Sequence, residues 1–472
     1  MMLSGAIAAG ARLPSSRTLA RDLGVSRTTV IEAFDRLIAE GLVDSRVGAG
    51  TFVSDVLKSE RPQPPASVGK LRPARKPNLS KAMDWAVDRF SDRQHLPYAP
   101  RAFVTALPAF DAFPMAQWAR LVAKHWRGSR ESVMGYGAPF GHPPLREAIA
   151  AHLRANRGIA CESEQIFIVG GAQHAFSLIG TVLVNPGDKV WFENPGAIGA
   201  RNAFLACGAE LVPVPVDGEG LRVEHGLKRS RDFRLVFVTP SHHQPLGHIM
   251  SLERRFALLR SAEQASAWIV EDDYDGEFFF GRRPLPTLKS VDATGLVIYV
   301  GTFSKSLFPA LRLGFMLVPP SLVDTFEKVS AAFVQGVPTS AQAVVAEFIE
   351  EGHFATHIRR MRRVYEERHA CLCEAARSEL AGMLEIVPTE SGLHTIGRLA
   401  GHLSEIAVAR AVASRGVVVS PIARFSIEPI EMSGLVLGFG GVKPPEIKRG
   451  VAVLNEVLRG FVMPRRTAAL RP

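Results

Sequence analysis

Thr302-Phe303-Ser304-Lys305-Ser306-Leu307-Phe308-Pro309-Ala310-Leu311-Arg312-Leu313-Gly314 follows a run composed like a buried strand, Leu296-Val297-Ile298-Tyr299-Val300-Gly301, and leads into another, Gly314-Phe315-Met316-Leu317-Val318. A lysine held at the end of a β-strand can lose its proton when desolvated and attack a carbonyl to form a Schiff base. Thr302 and Ser304, just before Lys305, and Arg312 after it can converge on a phosphate. A Schiff-base lysine beside a phosphate grip is what pyridoxal 5'-phosphate (PLP) requires. S-x-K alone decides little, because short motifs match by accident and a basic loop on an α/β domain reads the same way.

The chain's 472 residues exceed what one core holds, so two or more domains are expected. A hydrophobic content of 47% in a mixed sequence excludes general disorder. No apolar run reaches membrane-spanning length, and Met1-Met2-Leu3-Ser4-Gly5 lacks a basic segment followed by an apolar one. Cys161, Cys207, Cys371 and Cys373 fit neither a disulfide framework nor a zinc pattern. The expectation is a cytoplasmic protein with free thiols, no metal site and no membrane partner. Net charge is +10, and the first 80 residues hold twelve bases against seven acids. A basic amino-terminal module points to a polyanion partner.

Within that module, Leu13-Pro14-Ser15-Ser16-Arg17-Thr18-Leu19-Ala20-Arg21-Asp22-Leu23-Gly24 carries helix signals at both ends, a serine cap and a glycine stop. Val25-Ser26-Arg27-Thr28-Thr29-Val30 opens a second helix whose Val30, Ala33, Phe34, Leu37 and Ile38 form one stripe. Ser26, Arg27, Thr28 and Thr29 cluster at its amino end, where free N–H groups favour phosphate and short polar side chains can reach base edges. Two helices with a glycine turn between them make a helix-turn-helix. Leu42 to Val53, with glycines at its tip, reads as a β-hairpin wing.

The blocks R-L-P-S-S-R-x-L-A, L-G-V-S-R-T-T-V, L-x-x-E-G-L-V and R-x-G-x-G-T-F-V resemble the winged helix of the GntR regulators. The resemblance implies DNA contacts by Arg17, Arg27, Thr28, Thr29, Arg46 and Gly48, beside Ser26. Arg17 and Arg46 are expected on phosphates, Arg27 to Thr29 on bases. The first helix of that family is here cut to a fragment carrying Ser4-Gly5 and Ala9-Gly10. A helix needs roughly three turns to cover its neighbours, so about fifteen residues are expected upstream of Met1.

The expected organisation is a DNA-binding domain at 1–54, a flexible proline-rich linker at 55–99, a large domain at 100–464 and a basic tail at 465–472. From Phe103 onward, apolar β runs alternate with helical stretches, the mark of parallel βαβ architecture. Gly170-Gly171-Ala172-Gln173 follows a strand and opens a helix, a junction suited to cradling phosphate.

The motifs G-G-A-Q, E-N-P-G, T-P-S-H-x-x-P-x-G, E-D-D-Y-D-x-E-F and G-T-F-S-K-S-L-x-P-x-L-R-L-G occur in order. They resemble the fold-type I aminotransferase domain, as fused to a GntR winged helix in the MocR regulators. That resemblance implies an α/β fold, with a mainly parallel sheet between helices and a smaller C-terminal α/β subdomain. It implies Lys305 as the Schiff-base lysine, Asp272 on the pyridine nitrogen and Tyr274 on the ring oxygen. Ala172, Gln173, Thr302, Ser304 and Arg312 would hold the phosphate, Gln244 would lie over the ring oxygen, and the protein would be a homodimer. Two departures count against efficient transamination. Ala197 stands where the family has a stacking tyrosine, and Val436 where it has the substrate-carboxylate arginine. Arg424 and Arg201 are candidates to compensate. The expected function is a PLP-dependent transcriptional regulator that binds an operator and senses an amino compound or PLP. The rivals are an active aminotransferase with a vestigial DNA-binding domain and a DNA-binding protein whose large domain no longer holds PLP.

Overall fold

The structure is a computed structural model and describes residues 7–46, 48–55, 78–92, 100–128, 131, 134–281 and 285–462. It divides into two compact units, Met1–Asn78 and Leu79–Pro472.

In the first unit, helix α1 (Ser16–Leu23) starts where the Ser15 hydroxyl accepts the N–H of Thr18 at 3.2 Å and stops at Gly24, φ 67°. Helix α2 (Arg27–Ala39) is capped likewise, Ser26 accepting the N–H of Thr29 at 3.1 Å. Strands β1 (Val43–Arg46) and β2 (Gly50–Val53) form the expected antiparallel wing, with Val43 opposite Val53 and Arg46 opposite Gly50. The chain before α1 lies along β2, the N–H of Leu13 bonding the Thr51 carbonyl at 2.8 Å. The buried apolar core of this unit is small, Ala20, Val30, Val43 and Val53, while Leu23, Val25, Ile31 and Ile38 stand exposed. The Ser4-Gly5 fragment lies outside the described residues.

The second unit begins earlier than expected. Lys81–Ala86 is a helix capped by Ser80, and Asn202 then holds the backbone of Ser91 through bonds of 3.0 and 2.8 Å. The reading of a flexible linker is therefore corrected over residues 79–92. Residues 56–77 and 93–99, and the tail at 465–472, lie outside the described residues.

Its main sheet contains β3 (Ile166–Val169), β4 (Lys189–Asn194), β5 (Glu210–Asp217), β6 (Gly220–Leu221), β7 (Leu235–Val238), β8 (Trp268–Asp272), β9 (Val297–Thr302) and β10 (Gly314–Leu317). The order is β3-β10-β9-β8-β7-β4-β5-β6. β9, β8, β7, β4 and β5 run parallel, while β10 is antiparallel to both its neighbours. Both faces are covered, which is why the strands read as near-continuous apolar runs. Trp191 and Phe192, adjacent in β4, enter opposite cores, one with Leu258 and Ala262 and the other with Phe176 and Phe204.

A smaller antiparallel sheet follows, β11 (Leu384–Ile386), β12 (His394–Leu399), β13 (Ser420–Pro421) and β14 (Gly434–Gly438), in the order β11-β12-β14-β13. It shares a core with the helices His353–Glu379 and Pro444–Val462. The architecture is the expected α/β fold with its smaller C-terminal part. Among the described residues no helix is long and apolar enough to cross a membrane.

Candidate functional site

The carboxyl ends of β8 and β9 open into one cleft, as expected where ligands sit outside strand ends in an α/β sheet. Ala172, Gln173, Gln244, Asp272, Tyr274, Thr302, Ser304, Lys305 and Arg312 all line it. These are the nine residues read from four separate motifs.

Lys305 sits on a single helical turn, Phe303–Ser306, at the end of β9. Thr302 caps the turn, its hydroxyl accepting the N–H of Ser304 at 3.2 Å. The ammonium of Lys305 donates to the carbonyl of Ala106 at 2.9 Å. The returning strand must pass close: a Cβ at Gly314 would lie 2.9 Å from the Gly301 carbonyl oxygen and 3.1 Å from the Gly171 Cα.

At one end of the cleft the helix Ala172–Leu183 starts at Gly171, φ 92°, without a side-chain cap. Its first N–H groups lack intrahelical acceptors, which makes this end a seat for an anion. Thr302, Ser304 and Arg312 line the same cleft, and Arg312 has no acidic partner among the described residues. Amides, hydroxyls and a guanidinium are donors suited to a phosphate dianion.

Deeper in, Asp272 is buried and its Oδ1 has no hydrogen-bond partner. Burial pushes this carboxyl well above its ordinary range, and Asp273, Asp275 and Glu193 push the same way while Lys305 opposes. A buried carboxyl oxygen without a partner is costly alone, and a cationic N–H is the kind of donor that would satisfy it. Tyr274 Oη lies 3.0 Å from His242 Nδ1. Burial, then Asp275 and Asp272, raise the Tyr274 phenol far above its ordinary value, so it keeps its proton. Gln244 is held by its backbone N–H on Thr239 Oγ1 at 3.0 Å, and that hydroxyl donates to Glu193 at 2.7 Å.

Ala197, Val436 and Arg424 also line the cleft. Arg201 does not. Its guanidinium is engaged with the Ser426 carbonyl at 3.0 Å, the Arg424 carbonyl at 3.3 Å and the Ser91 hydroxyl, so it is corrected from ligand candidate to a brace. Sequence reasoning missed Thr105, Ala106 and His394, which arrive from segments without a motif. It also assigned nothing to His242 and Asp275, although both lie inside quoted motifs. With His394 they bring ligand-type atoms within 4.8 Å of one another.

In the winged unit Arg17, Ser26, Arg27, Thr28, Thr29, Arg46 and Gly48 are all exposed. Ser26 is occupied as the cap of α2, Arg27 Nε donates to Ser16 Oγ at 3.4 Å, and the Arg46 guanidinium lies 5.1 Å from the Phe52 ring centre. Gly48, φ 78°, supplies the wing turn.

Fold and site together define a winged helix-turn-helix joined to an aminotransferase-type domain. Residues 106–451 match the family of class I and II aminotransferases, and residues 1–53 match the bacterial regulatory proteins of the gntR family. The chain is 41% identical over 470 residues to the probable rhizopine catabolism regulatory protein MocR of Rhizobium meliloti, covering 99% of this chain and 93% of that one. It belongs to the MocR-type transcriptional regulators. Its fold is similar to the crystal structure of an archaeal alanine:glyoxylate aminotransferase, at 27% identity and a TM-score of 0.72, over 77% of this chain and 91% of that one. It is also similar to the Thermus thermophilus α-aminoadipate aminotransferase complexed with N-(5'-phosphopyridoxyl)-L-leucine, at 27% identity and a TM-score of 0.71, over 81% and 95% of the two chains.

Proposed function

We propose that this regulator holds PLP in the cleft and that a small amino compound, or PLP itself, biases how paired winged helices meet an operator. The observation that carries the reading is the convergence of nine motif residues on one cleft around a buried Asp272 carboxyl whose Oδ1 has no hydrogen-bond partner. Lys305 is the covalent anchor. Asp272 holds the ring nitrogen, and Tyr274, with Gln244 nearby, holds the ring oxygen. Ala172, Gln173, Thr302, Ser304 and Arg312 grip the phosphate. The bound cofactor supplies an electrophilic aldehyde and an electron-withdrawing ring.

The same cleft supports sensing over turnover. Ala197 offers no aromatic face, a contact worth about 1 kcal/mol beyond area burial, and Val436 offers no charge to a substrate carboxylate. Both absent groups are alignment groups, and rate depends on alignment. Arg424 lines the cleft, but its guanidinium also reaches the Asp92 carbonyl. In the winged unit, Arg17 and Arg46 are assigned to phosphates and Arg27, Thr28 and Thr29 to base edges, with Gly48 bringing the wing backbone close. A homodimer in the cytoplasm completes the proposal.

Purified protein with PLP is expected to show a visible absorbance band that borohydride abolishes, with the pyridoxyl group recovered on the Lys305 peptide. Titration on its own upstream DNA is expected to respond to PLP or to amines. Pyridoxyl on another lysine would overturn the anchor. DNA binding indifferent to every amine and to PLP would overturn the sensor. Steady-state transamination of common amino acids near 10 per second, an ordinary enzyme rate, would favour the aminotransferase instead.

A further inference from the structure

His242 is 1% exposed and Asp275 2%. His242 Nδ1 lies 2.9 and 3.1 Å from the two oxygens of Asp275 and 3.0 Å from Tyr274 Oη. One ring nitrogen therefore faces a carboxylate and a phenol together. A carboxylate only accepts, so the proton must sit on Nδ1, and the phenol can then only accept from the same N–H. The Tyr274 hydroxyl proton is left to be donated elsewhere, and Tyr274 lines the cleft.

The ring is fixed by what surrounds it. A Cβ at Gly392, φ 82°, would lie 2.1 Å from His242 Cε1 and 2.7 Å from Asp275 Oδ2, and one at Gly247, φ 74°, would lie 3.2 Å from His242 Nε2. A side chain at Gly392 would displace the imidazole, and one at Gly247 would crowd it. On another side stands His394, its ring centre 5.0 Å away, with Nε2 3.0 Å from the Pro245 carbonyl. Burial, then the nearby His242, push His394 down to about 4, so the stack beside Tyr274 is uncharged on that side. The charged and titratable groups facing Tyr274 are Asp275, Asp272, Glu193, Asp273 and His242, and Lys305 lines the same cleft.

We propose that Asp275 and His242 form a positioning relay that orients the Tyr274 hydroxyl so that its proton points into the cleft, toward the ring oxygen of the cofactor. This rests on the cofactor reading above. An Nδ1–H donated to Oη polarises the phenol, and hydrogen bonds in a chain strengthen one another. A stronger donor favours the anionic form of the ring oxygen, which holds down the pH at which the bound cofactor's absorbance titrates.

The test is a pH titration of the visible band of the full-length PLP-bound protein, with thermal unfolding followed in parallel. His242→Asn keeps an N–H at the Nδ1 position, whereas His242→Gln moves it to the Nε2 position. The Asn variant is expected to titrate as wild type does. The Gln variant is expected to titrate about one pH unit higher, the order of shift that one hydrogen bond to a charged form produces. In a Tyr274→Phe background the Gln change should add nothing. Asp275→Asn carries the same expectation if the Gln variant does not fold, because an amide N–H donated to Nδ1 would flip the tautomer and draw the Tyr274 proton away from the cleft. Equal midpoints for Asn and Gln, or a full Gln shift in the Tyr274→Phe background, would overturn the relay. A wild-type protein with no visible band at all would instead sink the cofactor reading, and the relay with it.

Discussion

At Glu193 a fully buried carboxyl accepts both the N–H and the hydroxyl of Thr239, yet burial outweighs those bonds and pushes it from 4.5 up to about 8. Below 4.5 the folded and unfolded chains both carry this proton and the stability contribution is complete. As pH rises toward 8 the unfolded chain gives the proton up while the folded chain retains it, so stability falls and levels off above about 8. Glu271, raised to about 7 mainly by burial, acts in the same sense. Glu193→Gln keeps an oxygen for Thr239 without a titrating group, so its unfolding midpoint should fall less than that of wild type between pH 5 and 8. Parallel midpoints in urea across that range would show Glu193 to be ionised in the fold. In the winged unit, Arg27→Ala is expected to weaken operator binding by about 1–3 kcal/mol if the arginine reads a base. An equal loss on random DNA in a binding titration would make it a phosphate contact. The nine cleft residues were legible because each sits in a local motif of strand end and turn. His242, Asp275 and Ala106 were not, because their roles exist only in contacts made across the fold.

Among the elements, those whose signals are local were read closely. Ser15 and Ser26 cap the two helices as their sequence positions require, and the strands of the main sheet declared themselves because both faces are buried. The helix Lys81–Ala86 was missed, since the prolines before it hide a short segment that is tied to the rest by contacts across the fold, among them Ser91 with Asn202 and Arg201, and Asp92 with Arg424. The second sheet was legible only as a smaller C-terminal part, because its β11 and β13 are three and two residues long. Caps and close approaches give element-scale tests. Ser26→Ala removes the acceptor for Thr29 N–H and is expected to cost about 1 kcal/mol of stability in the winged unit. Gly392→Ala forces a Cβ onto the His242 ring at positive φ and is expected to cost about 1–3 kcal/mol by denaturant midpoint. An unchanged midpoint for Gly392→Ala would mean that the His242 ring moves aside readily, which the proposed relay does not allow.

For the whole molecule, a DNA-reading unit and a ligand-holding unit on one chain make a sensor only if ligand and operator prefer the same or opposite arrangements of it. That preference is a coupling free energy, and it must be reciprocal: whatever factor a ligand applies to operator affinity, the operator applies to ligand affinity. Typical couplings of about 1–3 kcal/mol correspond to roughly 5–150-fold in either direction. The expectation is therefore two ratios that agree. One is the operator Kd with and without an amine that occupies the PLP-loaded cleft, and the other is that amine's Kd with and without operator. Lys305→Ala, which removes the covalent anchor, should reduce both ratios together while leaving operator binding in the absence of ligand near the wild-type value, because Lys305 belongs to the second unit and the DNA residues to the first. Fluorescence anisotropy on labelled operator gives the first ratio, and the cofactor's absorbance gives the second. Two ratios that differ would place part of the DNA effect at another ligand site, and two ratios of one would leave the cleft without influence on the operator.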